Sequence, residues 1–124
     1  MQKLTNKEEE VMHILWRLKK AFVKEIMLEI HDDQPHYNTL STMVRNLEEK
    51  GYVAYNAFGK THQYYPIVAI EQYRKQFLDT AIDTYFDNSY KNMVSHFAQE
   101  QKISAAELRE ILAIIESNNK TIAP

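Results

Sequence analysis

The chain has 124 residues, 44% of them hydrophobic and 26% charged, with a formal net charge of −2 and no cysteine. This suffices for one full domain, or for a small domain with an accessory segment, and is too short for two ordinary domains. It excludes a disordered or membrane-embedded chain, and the missing cysteines exclude disulfides, thiolate redox chemistry and Cys-ligated zinc or copper.

No apolar run approaches a membrane span, and "MQKLTNKEEE" lacks the pattern of a signal peptide, so a cytoplasmic location is expected. Residues 1 to 67 hold nine Lys and Arg against nine Asp and Glu, and the rest hold six against eight, so the acidic excess lies in the C-terminal half. There are two glycines and three prolines, with both glycines between positions 51 and 59. Such scarcity of chain breakers predicts a mainly helical protein with one tight, non-helical region.

The first predicted helix spans roughly 6 to 19. Thr5 and Glu8 form a capping-box pattern, and Val11, Ile14, Leu15 and Leu18 make an apolar stripe with Met12 and Trp16 beside it. A shorter helix is predicted at "VKEIMLEI", broken by "HDDQPH", where Pro35 lacks a donor. A third is predicted over about 37 to 49, with Leu40, Met43, Val44 and Leu47 as its stripe and Gly51 as its stop. Its opposite face carries Asn38, Thr39, Ser41, Thr42, Arg45 and Asn46. Helices that need only solubility usually place Lys and Glu there, because Thr, Ser and Asn weaken a helix.

The period then changes. Tyr52 to Asn56 and Thr61 to Tyr65 flank "AFGK", a hairpin signal. From Val68 the chain reads as helical again, with Tyr73, Phe77, Ala81 and Tyr85 at i+4 steps and a break at "DNS". A short helix follows at "YKNMVSHF", then a last one opened by a second capping box, Ser104 with Glu107, and a staple from Ile103 to Leu108. Residues after Ser117 are expected to fray.

Three helices followed by a hairpin make a winged helix-turn-helix, in which the third helix enters the major groove and the wing lies along the backbone. The expected fold is mainly α: a winged helix-turn-helix domain over 1–67, then a helical dimerisation domain over 68–124. The expected DNA contacts are Tyr37, Asn38, Thr39, Ser41, Thr42, Arg45 and Asn46 from the third helix. Lys60, Thr61 and His62 join them from the wing. Phe58 at the wing tip either touches sugar or packs back. The C-terminal helices carry more large apolar groups than so short a stretch can bury alone. Pairing about a two-fold axis is the economical solution, and it spaces two recognition helices by about 34 Å, one turn of DNA. The residues expected at that interface are Phe77, Tyr85, Met93, Phe97, Leu108, Ile111, Leu112 and Ile115.

Taken together, "LTNKEEEVMHILW", "HYNTLSTMVRNLEEKGYV" and "FGKTHQYYPI" resemble the penicillinase-repressor family of winged-helix repressors, the BlaI/MecI/CopY type. The resemblance runs over residues 4 to 67 and more loosely through 117. It implies a homodimeric repressor on a palindromic operator in double-stranded DNA. In the beta-lactam branch it also implies a membrane sensor-protease that signals, and release by a cut between Asn and Phe in the C-terminal helices. The corresponding pair here is His96 and Phe97, the candidate cleavage site. The cysteine motifs of the copper-responsive branch are absent, and His36 and Tyr37 stand where the family often has Ser-Pro.

No nucleophile sits with a base partner and no glycine-rich phosphate loop is present, so no enzyme and no cofactor are expected. His31, Asp32, Asp33 and His36 lack ligand spacing on a regular element and read as an exposed loop rather than a metal site. His13 and His96 read as surface or half-buried residues. The alternative to a repressor is a winged-helix module that binds a protein through the same face, a reading the −2 charge favours.

Overall fold

In the computed structural model, which describes the backbone of residues 1–122 and the side chains of residues 1–118, the chain divides into two compact units between Lys75 and Gln76. The first unit contains α1 (Asn6–Leu18), β1 (Ala21–Phe22), α2 (Val23–Leu28), α3 (Tyr37–Glu49), β2 (Val53–Phe58), β3 (Thr61–Pro66) and the first turns of α4 (Ile70–Tyr85). Both halves of the Thr5 capping box form: the Glu8 amide donates to Thr5 Oγ1 at 3.1 Å, and the Thr5 amide to Glu8 Oε1 at 2.9 Å.

Val11, Met12, Ile14 and Leu15 of α1 pack into one core with Ile26 of α2, Leu40, Val44 and Leu47 of α3, and Tyr52, Val53 and Tyr64 of the sheet. Leu40, Val44 and Leu47 have no exposed surface, and each buried side chain of this size contributes about 1.5–3 kcal/mol. Met43, expected in the same stripe, is only half-buried, because it lies at the edge of the arc that faces α1 and α2. α3 stops in a Schellman motif: Tyr52 N–H donates to Leu47 O at 2.9 Å and Gly51 N–H to Glu48 O at 3.0 Å, with Gly51 at φ 83°.

Two details of the wing differ from the sequence reading. The sheet has three strands in the order β1-β3-β2, not two, because Ala21 and Phe22 pair with Tyr64 and Gln63. A strand of two residues shows no alternation by which to predict it. The turn is also tighter than "AFGK": Phe58 pairs with Thr61, leaving Gly59 and Lys60 as a two-residue loop. Gly59 takes φ 62°, which a type II′ turn requires at its first central position. α2 closes at Leu28, short of the expected Ile30, since the Gln34 amide folds back to donate to Met27 O (2.6 Å) and Ile30 O (3.2 Å).

α4 starts at Ile70 rather than Val68 and is tied to the first unit at its opening turn. Trp16 Nε1 donates to Val68 O at 2.9 Å, Tyr73 Oη donates to Glu9 Oε2 at 2.6 Å, and the Tyr73 ring lies 5.4 Å from Trp16. Burial and the Glu9 carboxylate both push the Tyr73 phenol well above its ordinary pKa, so it remains a donor.

The second unit holds the rest of α4, α5 (Tyr90–Gln99) and α6 (Ala105–Ile122). Asp87 and Asn88 both take left-handed φ, and Ser89 Oγ caps α5 by accepting from Asn92 N–H at 3.1 Å. Tyr90 Oη donates to the Asp79 carboxylate. The second capping box forms between Ser104 and Glu107, and Ile103 and Leu108 are both half-buried. α6 continues to Ile122 where fraying after Ser117 was expected, because "NNKTI" contains no helix breaker; the tail's last two positions, 123 and 124, lie outside the described residues.

Glu8 is the buried charge of the first unit. Its carboxylate meets Lys50 Nζ at 2.7 Å, joining the start of α1 to the end of α3. Burial alone would raise its pKa, but the Lys50 ammonium and the Thr5 donors outweigh burial and hold it below the ordinary value. A carboxyl with a lowered folded-state pKa adds stability above its unfolded pKa, and that stability is lost as pH falls through the folded value. Urea unfolding of Glu8→Gln at neutral pH is expected to show a loss of about 2–3 kcal/mol, less than for a fully buried pair because Lys50 keeps some solvent contact. The variant's stability is also expected to fall less steeply than the wild type's below about pH 4.5.

Candidate nucleic-acid interface

With its apolar stripe turned inward, α3 presents Tyr37, Asn38, Ser41 and Arg45 to an open groove of about 550 Å³. The opposite wall is the wing, through Lys60, Thr61, His62 and Tyr64, and the end is closed by Phe22, Val23, Lys24 and Glu25 at the start of α2. Seven of the ten side chains expected to meet DNA therefore share one concave surface. The other three do not line it. Thr39 and Thr42 are exposed elsewhere on α3, and the Thr42 hydroxyl donates to Asn38 O of its own helix at 3.0 Å. Asn46 opens onto a second cleft with Gln2, Thr5, Glu8, Glu49 and Lys50.

Three cations face the groove: Arg45, Lys60 and Lys24. Glu25 lines it too, but its carboxylate accepts the Phe22 amide at 2.8 Å, half of a capping box for α2. At the back, burial raises the Tyr64 phenol pKa and the Glu48 carboxylate raises it further, against an opposing effect of Arg45, so Tyr64 presents a neutral hydroxyl. The His62 ring stacks on Tyr55 at 3.9 Å and 7°, which fixes its orientation. Thr61 Oγ1 donates to Phe58 O at 2.8 Å, so its proton is committed to the turn. The Phe58 ring meets Phe22 edge-on at 5.7 Å while remaining exposed.

Sequence reading missed Lys24 and Phe22. Both follow from β1, whose pairing with β3 carries the start of α2 to the wing. The available signal was the position of Lys24 in the first turn of the helix that precedes α3 in a helix-turn-helix.

The side chains expected to pair in a dimer lie in the second unit. Phe77, Tyr85, Phe97, Ile111, Leu112 and Ile115 are exposed, Tyr85 at 77%, whereas Met93 and Leu108 are half-buried. Leu78 and Ile114 are exposed as well. Ile82 is that unit's one fully buried residue among those described. His96 and Phe97 sit inside α5, with the His96 ring 5.7 Å from Phe86. His31, Asp32, Asp33 and His36 are exposed ahead of α3, and Asp33 pairs with Lys7 at 3.4 Å. Among the described residues no three His, Asp or Glu side chains converge as metal ligands, and no helix is long and apolar enough to cross a membrane.

A family model described as penicillinase repressor matches residues 4–117. The chain belongs to the penicillinase repressor family. Among penicillinase repressors and their relatives it is similar to the methicillin resistance regulatory protein MecI of Staphylococcus aureus strain N315, 26% identical over 115 residues, covering 90% of this chain and 92% of that one. It is also similar to the penicillinase repressor of Bacillus licheniformis, 22% identical over 116 residues, covering 93% and 91%. The chain also resembles the solution structure of the DNA-binding domain of the repressor BlaI, with a TM-score of 0.51 and 25% identity, over 59% of this chain and 94% of that one. The chain is thus a mainly helical, winged-helix member of a family of transcriptional repressors rather than enzymes.

Because the Phe58 ring braces the wing tip against Phe22, Phe58→Ala is expected to cost about 0.5–1.5 kcal/mol. Amide exchange at Gly59 to Thr61 is expected to accelerate more than exchange in α1, as read by hydrogen-exchange mass spectrometry or NMR.

Proposed function

We propose that this penicillinase repressor family member is a dimeric transcriptional repressor that binds a palindromic operator in duplex DNA. α3 occupies the major groove, and the wing and the start of α2 hold the backbone. The observation that carries the reading is the groove itself, where the polar face of α3 meets Lys24, Lys60 and Arg45 on three different elements. Asn38 and Ser41 offer short hydrogen-bonding groups to base edges, while Arg45 at mid-helix can take a guanine bidentately. The two domains of this reading are a DNA-binding domain, residues 1–67, and a dimerisation domain, residues 68–124.

Exposure of Phe77, Tyr85, Leu112 and Ile115 supports the dimer, since water-facing groups of this size are usually covered by a partner. A two-fold pair presents two copies of α3 to major grooves about 34 Å apart. Release follows proteolysis in the second unit, with a membrane sensor-protease as the source of the signal. The His96–Phe97 pair lies within α5, so cutting there requires that helix to open locally. The protein acts in the cytoplasm, where its operator is.

Arg45→Ala is expected to weaken operator binding by about 1–3 kcal/mol, roughly five- to 150-fold, in fluorescence anisotropy, and to relax discrimination at one base pair. Wild-type affinity is expected to fall steeply between two salt concentrations through counterion release. Salt-insensitive retention of a protein partner, with no duplex bound, would instead support the interaction module. Leu112→Asp is expected to yield monomers in sedimentation and a large loss of operator affinity, with α1 to α3 intact by NMR.

A further inference from the structure

The two sides of α3 are flanked differently. At about 100° per residue, Tyr37, Asn38, Ser41 and Arg45 span one side of its exposed arc, and Asn46, Glu49 and Lys50 the other. The first side meets the wing. The second meets the segment ahead of α1, across a cleft of about 510 Å³ lined by Gln2 and Thr5.

That segment is held at three consecutive residues. Tyr52 Oη donates to Gln2 O at 2.5 Å, Lys50 Nζ donates to Lys3 O at 3.2 Å, and the Leu4 side chain is buried. The backbone is thereby fixed beside α3 while the Lys3 side chain faces solvent. Lys50 has a different role, because its ammonium is committed to Glu8 and to Lys3 O and keeps only 22% of its side-chain surface exposed. It places Lys3.

A helix inserted in the major groove, about 12 Å wide, has a phosphate wall on each side. The wing and Lys24 serve one wall. We propose that Lys3 is a phosphate-binding residue for the opposite wall. The proposal rests on the DNA-binding reading above and adds a second electrostatic anchor, across α3 from the first. Anchors on both flanks fix the roll of the helix in the groove, which one anchor alone leaves free. Glu49 lines the cleft with Gln2 and Thr5, and its carboxylate is a charge that opposes phosphate on this flank.

The experiment is a salt series of duplex binding by the full-length protein, using an operator fragment and an unrelated duplex. Lys3→Gln is expected to bind both roughly three- to tenfold more weakly at low salt, with the slope of log K against log salt reduced by about one per half-site. The equal loss follows because phosphates carry no sequence information, whereas Arg45→Ala loses more on the operator. Lys3→Arg is expected to restore affinity and slope, and Glu49→Gln to strengthen binding. Tyr52→Phe removes the tie to Gln2 but keeps the buried ring, so Lys3→Gln is expected to cost less in that background. Unchanged affinity and slope in Lys3→Gln, with Arg45→Ala still impaired, would overturn the second anchor and leave the repressor reading standing. So would a loss of affinity at constant slope, the mark of a purely structural role. Failure of the folded wild type to bind any duplex would overturn the reading beneath it.

Discussion

The burial of one narrow stripe, Leu40, Val44 and Leu47, determines what the first unit shows to the outside. With those side chains wholly enclosed, α3 cannot roll: a turn of about 100° would carry Ser41 or Arg45 into the core and leave a hydroxyl or a guanidinium without water. Axial sliding is opposed at the far end, where the Schellman motif closes on Gly51 and the Lys50 ammonium is held by Glu8 of α1. Hydrophobic burial sets the rotation, an ion pair sets the translation, and the polar face is aimed as a consequence.

Around that helix most hydrogen-bonding capacity is spent internally. Thr42 bonds its own helix, Thr61 closes the turn, Glu25 caps α2, and the His62 ring is stacked on Tyr55. What faces the groove is a smaller set of amide, hydroxyl and cationic groups on α3, α2 and the wing. This explains how a chain with a net charge of −2 carries a surface suited to a polyanion. Charge summed over a molecule says little about a patch built from three elements.

Features written in local residue spacing were legible from the sequence: the capping boxes of Thr5 and Ser104, the bounds of α3 from Tyr37 to Glu49, and a glycine at the wing turn. Each arises among residues a few positions apart, where spacing and side-chain type carry the physics. Pairings between distant residues were not. β1 is too short to alternate, so its bond to β3 leaves no mark in sequence, and with it went Lys24 and the brace from Phe22 to Phe58. Glu8 and Lys50 lie far apart in the chain, and a glutamate in a run of three reads as an ordinary helix start. The apolar positions of α4 to α6 pose a different problem. Periodicity marks a stripe equally well whether the chain covers it or leaves it bare, and only the structure distinguishes enclosed Ile82 from exposed Tyr85.

Trp16 is the chain's single tryptophan, and its indole donates to Val68 O beside Tyr73, where α4 begins. Tryptophan emission, excited beyond the tyrosine absorption band, therefore originates at one location, the seat of the first turn of α4. Undocking of that turn would hydrate the indole and shift its emission to the red, whereas events confined to the wing or to α6 would leave it unchanged. The fold thus contains an unlabelled optical probe of whether the leading end of α4 is seated, readable in the intact protein.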